Sequence, residues 1–331
     1  METHSVNQMA STLSLLVRQI RYEAAGINSY ELVHPEGEDL PVFSAGAHLD
    51  IHIQPGLVRQ YSLCNDPSER KRYVIAVLKS EDGQGGSKSL HESVHVQDIV
   101  KVSVPRNHFA LAPDARKAIL LAGGIGITPL KSMIHELDRT GTEYELHYCA
   151  KNQSCVAFLD SFGGRENIHF HFDNGDPAQG LNIAALLSRP ENGTHVYFCG
   201  PPGFMSACSN ATQNWPGGAV HCEYFKAPVA DSNGSSRADS SSTGDGSFSV
   251  RIASTGQTIT VPAETSLIDA LAEAGIQLET SCVSGLCGTC KVRYLEGEVD
   301  HQDYILDAQE QSEYLTACVS RAKSQLLVLD L

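Results

Sequence analysis

The sequence has no apolar run approaching the ~20 residues that a membrane-spanning helix needs. Its best N-terminal candidate, 13–17, is short and lacks both a basic flank and a small-residue cleavage site. A soluble, unexported, cytoplasmic protein is therefore expected. Basic residues are scarce, with 24 Lys and Arg against 39 Asp and Glu and a net charge of −15. That balance argues against a nucleic-acid binder, because neutralising phosphates requires a basic footprint. It leaves a basic protein partner open, since a strongly signed surface steers association. There is no internal repeat, and no convincing catalytic triad or pair of carboxylates. With 331 residues, 41% of them hydrophobic and 19% charged, the chain has an ordinary globular composition. At about 100–200 residues per domain it should hold two or three.

Ten cysteines without an export signal point away from a disulfide scaffold and toward metal or redox work. Cys64, Cys149, Cys155, Cys199, Cys208 and Cys222 are scattered, whereas Cys282, Cys287, Cys290 and Cys318 form a pattern. The spacing Cys-x4-Cys-x2-Cys…Cys is that of a plant-type 2Fe-2S cluster. Three thiolates would come from one loop, whose Ser284, Gly285, Gly288 and Thr289 are small enough for backbone N–H groups to approach the sulfurs. A structural zinc site and buried free thiols are the alternatives. Zinc frameworks favour two short-spaced pairs rather than a triplet and a singleton.

Composition divides the rest. Residues 227–247, APVADSNGSSRADSSSTGDGS, have almost nothing to bury and read as a flexible linker, with a long surface loop as the alternative. Residues 1–112 predict short strands at 14–22, 29–34, 48–54, 59–64, 73–79 and 100–104, with one helix at 87–94, as in a sandwich or barrel. In 113–226 strands and helices alternate. Strands at 118–122, 144–149, 168–172, 195–199 and 219–224 are separated by helices at 129–137, 155–161, 183–187 and 203–214, which predicts a doubly wound parallel α/β domain. Residues 248–331 open with a hairpin-like pair, 248–252 and 258–261, then a helix at 266–274 and the cysteine loop.

Two further segments carry candidate chemistry. Arg59-Gln60-Tyr61-Ser62-Leu63 lies on a predicted strand, so Arg59, Tyr61 and Leu63 share one face and Gln60 and Ser62 the other. Gly85-Gly86-Ser87 precedes a predicted helix, whose free N–H groups form a natural phosphate seat beside the Arg59 guanidinium. A plain edge strand and a turn are the bland alternatives. Gly123-Gly124-Ile-Gly126-Ile-Thr128-Pro129 follows an apolar strand and opens a helix, and Cys199-Gly200-Pro201 ends another parallel strand, so both face one crevice. The turn departs from Gly-x-Gly-x-x-Gly. No Asp or Glu ends the second strand, where Lys151 stands instead.

Taken in order, Arg59–Asp66, Gly85–Ser87, Pro105-Arg-Asn107, 121–129, Cys199–Pro202, Glu223-Tyr-Phe225 and the cysteine loop resemble the phthalate dioxygenase reductase family, of which vanillate demethylase reductase is a member. The resemblance implies an FMN-binding antiparallel β-barrel domain over 1–112 and an NAD-binding α/β domain over 113–226. A plant-type ferredoxin-like (β-grasp) α+β domain over 248–331 would complete the chain. It also implies an NADH-oxidising reductase that passes single electrons to a Rieske-type oxygenase. Arg59, Gly86 and Ser87 would bind FMN phosphate, with Tyr61 on the ring and Ser62 near its reactive nitrogen. Gly123, Gly124, Gly126 and Thr128 would bind the nicotinamide nucleotide. Cys199 would lie near the nicotinamide and Phe225 over the flavin. FMN rather than FAD, and NADH rather than NADPH, are inherited from the resemblance, and Lys151 leaves the second choice open. Hydride transfer here is mostly positioning. Residues 248–331 hold 12 Asp or Glu against 5 Lys or Arg, which reads either as plain solubility or as a surface for transient electrostatic docking on a basic oxygenase patch. The rival functions are a general NAD(P)H diaphorase or ferric reductase, and an iron–sulfur carrier without nucleotide oxidation.

Overall fold

Period-two alternation of apolar residues builds the first sheet. Its strands are β1 (Thr12–Ala24), β2 (Ile27–Val33), β3 (His48–Gln54), β4 (Leu57–Ser62), β5 (Tyr73–Leu78) and β6 (Ile99–Ser103). They pair antiparallel in the order β4-β3-β6-β1-β2-β5, and a bridge between Leu63 and Ile75 closes the sheet into a barrel. Alternate residues such as Leu15 and Val17, or Leu49 and Ile51, fill the interior. Each such burial is worth about 1.5–3 kcal/mol. Helix α1 (Gly86–Ser93) adds Leu90 to the same core, and the Leu90 carbonyl accepts from Tyr30 Oη at 2.9 Å. The computed structural model describes residues 12–54, 57–80, 85–226, 246–280 and 282–331.

The second sheet is wholly parallel. It comprises β7 (Lys117–Gly123), β8 (Glu143–Ala150), β9 (Ile168–Phe172), β10 (Thr194–Cys199) and β11 (Val220–Glu223), in the order β11-β10-β7-β8-β9. The chain steps outward from β7 to β9, then returns to β10 on the other side, so the topological switch point lies between β7 and β10. Ligands of open α/β sheets bind at the carboxyl ends of strands at such a point. Helices α2 (Ile127–Thr140) and α3 (Leu159–Phe162) share a core with Ala118, Leu120 and Ala122, whereas α4 (Ile183–Leu186) and α5 (Pro202–Ala211) share one with Leu121. The sheet is therefore covered on both faces, which is why β7 reads as one continuous apolar run. Barrel residues Ala24, Ile27, Ala45, Cys64, Ala76 and Phe109 join the α2-side core. Both sheets lie in one compact unit, Met1–Phe225.

The second unit, Lys226–Leu331, carries β12 (Phe248–Ile252), β13 (Thr258–Val261), β14 (Lys291–Glu296), β16 (Tyr314–Thr316) and β18 (Leu326–Leu329) in a five-stranded sheet. A short pair, β15 (Val299–Asp300) with β17 (Arg321–Ala322), stands beside it, and α7 (Ala308–Gln311) precedes β16. The sheet order is β13-β12-β18-β14-β16, with β12 and β18 parallel, and α6 (Leu267–Glu273) packs Leu267, Ala270 and Leu271 against it. Together these elements form the expected ferredoxin-like grasp.

Some expected elements differ in extent. The helix expected at 155–161 is broken: 153–155 form a 3-10 turn and α3 begins only at Leu159, because Phe158 takes φ 61° to reach the core. A left-handed residue cannot continue a right-handed helix. The helix expected at 203–214 ends at Ala211, where the Thr212 hydroxyl donates to the Cys208 carbonyl and the chain turns to bury Trp215. Helix α2 runs longer than expected, to Thr140, and ends at Gly141 with φ 68°. The linker expected at 227–247 lies outside the described residues except for Gly246 and Ser247. Among the described residues, no helix is long and apolar enough to cross a membrane.

Candidate functional site

Three features converge in the first unit. The first is the turn into α1. Gly85 adopts φ 86° as the N-cap, and no side chain caps the helix, leaving its first-turn N–H groups to a ligand or water. A Cβ on Gly86 would stand 2.7 Å from Arg59 Cγ, so only glycine lets the Arg59 side chain lie across this turn. Arg59 Nη1 donates to the Val58 carbonyl at 2.7 Å, and Ser87 Oγ accepts from the Ser80 N–H at 3.1 Å. Arg59, Gly86 and Ser87 are thus together, in a seat suited to a phosphate.

The second feature is the polar face of β4. Leu63 fills the barrel core, Tyr61 packs against that core while only partly buried, and burial pushes the Tyr61 phenol pKa up. The Gln60 amide donates to Asp50 Oδ1 at 3.0 Å and approaches His48 Nε2 at 3.2 Å, while Arg106 Nη2 holds Asp50 Oδ2 at 2.5 Å. His48 is buried, and burial together with Arg106 and His108 holds its pKa down at about 4. It is therefore neutral. The Gln60 contact assigns the ring proton to Nδ1, which stands 3.9 Å from Glu223 Oε1. Ser62 Oγ donates to Glu223 Oε2 at 3.1 Å across 161 residues of sequence. Burial raises the Glu223 carboxyl to about 7, against the lowering effect of the Ser62 hydroxyl.

The third feature is the switch point itself. Glu223 ends β11 opposite Cys199, which ends β10, and Cys199 is fully buried with its thiol pKa pushed well up by burial and by Glu223. A Cβ on Gly126 would lie 2.1 Å from the Cys199 carbonyl oxygen, and one on Gly200 would lie 3.0 Å from Gly123 Cα. Gly126 and Gly200 therefore allow the turns after β7 and β10 to touch. Gly124, with φ 55°, faces open space. Pro201 packs against Gly123. Thr128 is buried, and its hydroxyl donates to the Ile125 carbonyl at 3.1 Å. Phe225, two residues beyond Glu223, is 40% exposed.

The structure thus brings Ser62 and Cys199 to one place through Glu223. It puts the Leu63 side chain in the core and the Thr128 hydroxyl on its own turn. Glu223 and His48 were not singled out from the sequence as site residues. The motif Glu223-Tyr224-Phe225 draws attention to its aromatic end, and nothing local marks His48.

In the second unit the four patterned cysteines close on one another. The thiols of Cys282 and Cys287 lie next to each other, as do those of Cys290 and Cys318. Cys287, Cys290 and Cys318 are buried, and Cys287 Sγ lies 3.2 Å from Thr289 Oγ1. Backbone N–H groups of Ser284 and Leu286 donate to Cys282 Sγ at 3.4 and 3.3 Å, and that of Gly285 to Cys318 Sγ at 3.3 Å. Val283 and Gly285, beside these amides, take left-handed conformations, with φ 51° and 71°. At Gly285 a Cβ would stand 2.8 Å from Val319 Cγ2. Four soft donors wrapped in amides fit an iron–sulfur cluster.

Residues 250–323 match the model of a 2Fe-2S iron-sulfur cluster binding domain. The chain is 52% identical to the reductase subunit of a tert-butanol monooxygenase / tert-amyl alcohol desaturase from Aquincola tertiaricarbonis, over 99% of each chain. It is 43% identical to a vanillate O-demethylase oxidoreductase from Pseudomonas sp., over 96% of this chain and all of the other. The solved structure of phthalate dioxygenase reductase, described as modular for electron transfer from pyridine nucleotides to 2Fe-2S, superposes with a TM-score of 0.71 at 38% identity. It covers 98% of this chain and 99% of its own.

Proposed function

Because the chain belongs to the phthalate dioxygenase reductase family, we propose that it is the reductase component of a two-component Rieske-type oxygenase or demethylase, oxidising NADH with FMN and delivering single electrons through its 2Fe-2S cluster. The observation that carries this reading is the meeting of Ser62, Glu223 and Cys199 where the barrel abuts the sheet's switch point. FMN, when bound, accepts a hydride from NADH and returns electrons singly, and the cluster relays them one at a time.

In this reading Arg59, the α1 amides at Gly86 and the Ser87 hydroxyl hold the FMN phosphate. The absence of a Cβ at Gly86 is what lets the guanidinium reach them. Gln60, fixed by Asp50 and His48, and Tyr61 frame the ring. Gly123, Gly124, Gly200 and Pro201 border the crevice for the nicotinamide nucleotide, with Phe225 covering the flavin. Cys199 stands at its floor. With Glu223 ionised, the Ser62 hydroxyl points at the carboxylate and offers lone pairs outward. With Glu223 protonated, the carboxyl donates to Ser62 Oγ and the Ser62 hydrogen is free to donate. A carboxyl with a pKa near 7 therefore lets Ser62 present either a donor or an acceptor at neutral pH.

Cys282, Cys287, Cys290 and Cys318 ligate the cluster. Arg251, Lys291 and Arg293 are each paired with carboxylates of the same unit, at 3.4, 3.0 and 3.6 Å for the nearest contacts. The acidic excess is thus left for docking on a basic oxygenase surface, a transient contact. None of the ten cysteines is joined in a disulfide, which suits a reducing cytoplasm. The test is visible spectroscopy of the purified protein before and after anaerobic NADH, with the flavin identified after release. Bleaching of both flavin and cluster bands is expected. A preparation reconstituted with both groups and inert toward NADH would overturn the proposal.

A further inference from the structure

Strands β8 and β9 place three imidazoles and a carboxylate on one face of the parallel sheet. Parallel register sets His147 beside His169 and Cys149 beside His171, and Glu145 precedes His147 by two residues on the same face. The rings of His169 and His171 stack on His147, with centroids 5.0 and 5.3 Å away. His147 is only 7% exposed, and its Nδ1 is 3.0 Å from His171 Nε2. With the Nδ1 proton donated to His171, the lone pair of His147 lies on Nε2. That atom is buried with no hydrogen-bond partner and stands 3.7 Å from Glu145 Oε2. A buried lone-pair atom without a partner thus faces a partly exposed carboxylate oxygen across a gap too long for a hydrogen bond, an arrangement that a cation relieves.

We propose that Glu145, His147 and His169 bind a borderline divalent cation, zinc, that clamps edge strand β9 to β8. One donor atom from each of these residues lies within 4.8 Å of the others. Tetrahedral zinc with bonds of ~2.0–2.1 Å separates its donors by ~3.4 Å. The His147–Glu145 separation is close to that value, and rotation of the exposed His169 ring closes the rest. Two imidazoles and one carboxylate match zinc among the common biological cations, and three protein ligands leave a fourth position for water. His171 acts on the metal through His147, fixing its tautomer as second partners of metal-bound imidazoles do. Lys117 Nζ binds Glu145 Oε1 at 2.8 Å, leaving Oε2 to the metal.

The test uses the cofactor-loaded protein, stripped with a mild chelator, exposed to zinc chloride and desalted, with zinc and iron measured together. The wild type is expected to keep one zinc per chain with its iron undiminished and to melt at a higher temperature. His169→Ala, at an exposed position that should not disturb folding, and Glu145→Gln are expected to keep neither the zinc nor the thermal shift. His171→Ala should weaken binding by about 10- to 100-fold. No zinc on the wild type, equal zinc on His169→Ala and Glu145→Gln, or zinc gained in step with iron lost from the cysteines would each overturn the proposal.

Discussion

Glu223 concentrates the chemistry that single side chains decide. Its carboxyl rises from 4.5 to about 7 on folding, so between those values the folded chain binds a proton that the unfolded chain has released. Stability therefore falls as pH rises through that window, by at most about 3 kcal/mol, and less to the extent that solvent reaches the group. Urea midpoints measured at pH 5 and 8 should show a larger decline for the wild type than for Glu223→Gln, which carries no titrating group. The same substitution should remove an inflection near pH 7 from the rate of flavin reduction by NADH, followed by stopped flow. Arg59 makes a different contribution. Losing a charged hydrogen bond to phosphate costs about 1.5–3 kcal/mol, so Arg59→Ala should retain FMN on the order of 10- to 100-fold less tightly, as read by flavin fluorescence on dilution.

At the scale of elements, the turns after β7 and β10 act as one device. Gly126 lies so close to the Cys199 carbonyl that a methyl group would push the two strand ends apart. Gly126→Ala should destabilise the protein by about 1–3 kcal/mol in denaturant titrations and raise the KM for NADH. The cysteine loop is the corresponding device of the second unit, where amides beside left-handed residues donate to sulfur. Cys290→Ser should leave NADH-dependent ferricyanide reduction at the flavin intact while cytochrome c reduction falls to near background. Equal rates with both acceptors would show that electrons do not leave through the cluster. Expected and observed helices diverge most around Phe158. Its left-handed backbone follows from what the sheet offers it to bury, and no local pattern announces that.

For the whole molecule, the relevant quantity is the distribution of charge. Residues 248–331 carry a large part of the net −15, and their basic side chains are largely paired internally. Charges farther apart than about 10 Å are screened at ~0.1 M salt. Raising ionic strength should therefore slow electron delivery to the oxygenase while leaving NADH-to-flavin reduction unchanged, as compared by stopped flow. An oxygenase rate indifferent to salt would remove the electrostatic part of the docking proposal.

The sequence alone determined what depends on spacing along the chain: the four-cysteine pattern, the alternation of Arg59 to Leu63 across a strand, and the glycine turns that end β7 and β10. These are legible because strand pleat, helix pitch and loop ligation are set by residues a few positions apart. Only the tertiary structure decided that Ser62 meets Glu223, that His48 turns its Nδ1 toward the same carboxyl, and that His147 stands between His169 and His171. Such meetings depend on which strands become neighbours and in what register. That is settled by the burial of whole faces, not by any local run of residues.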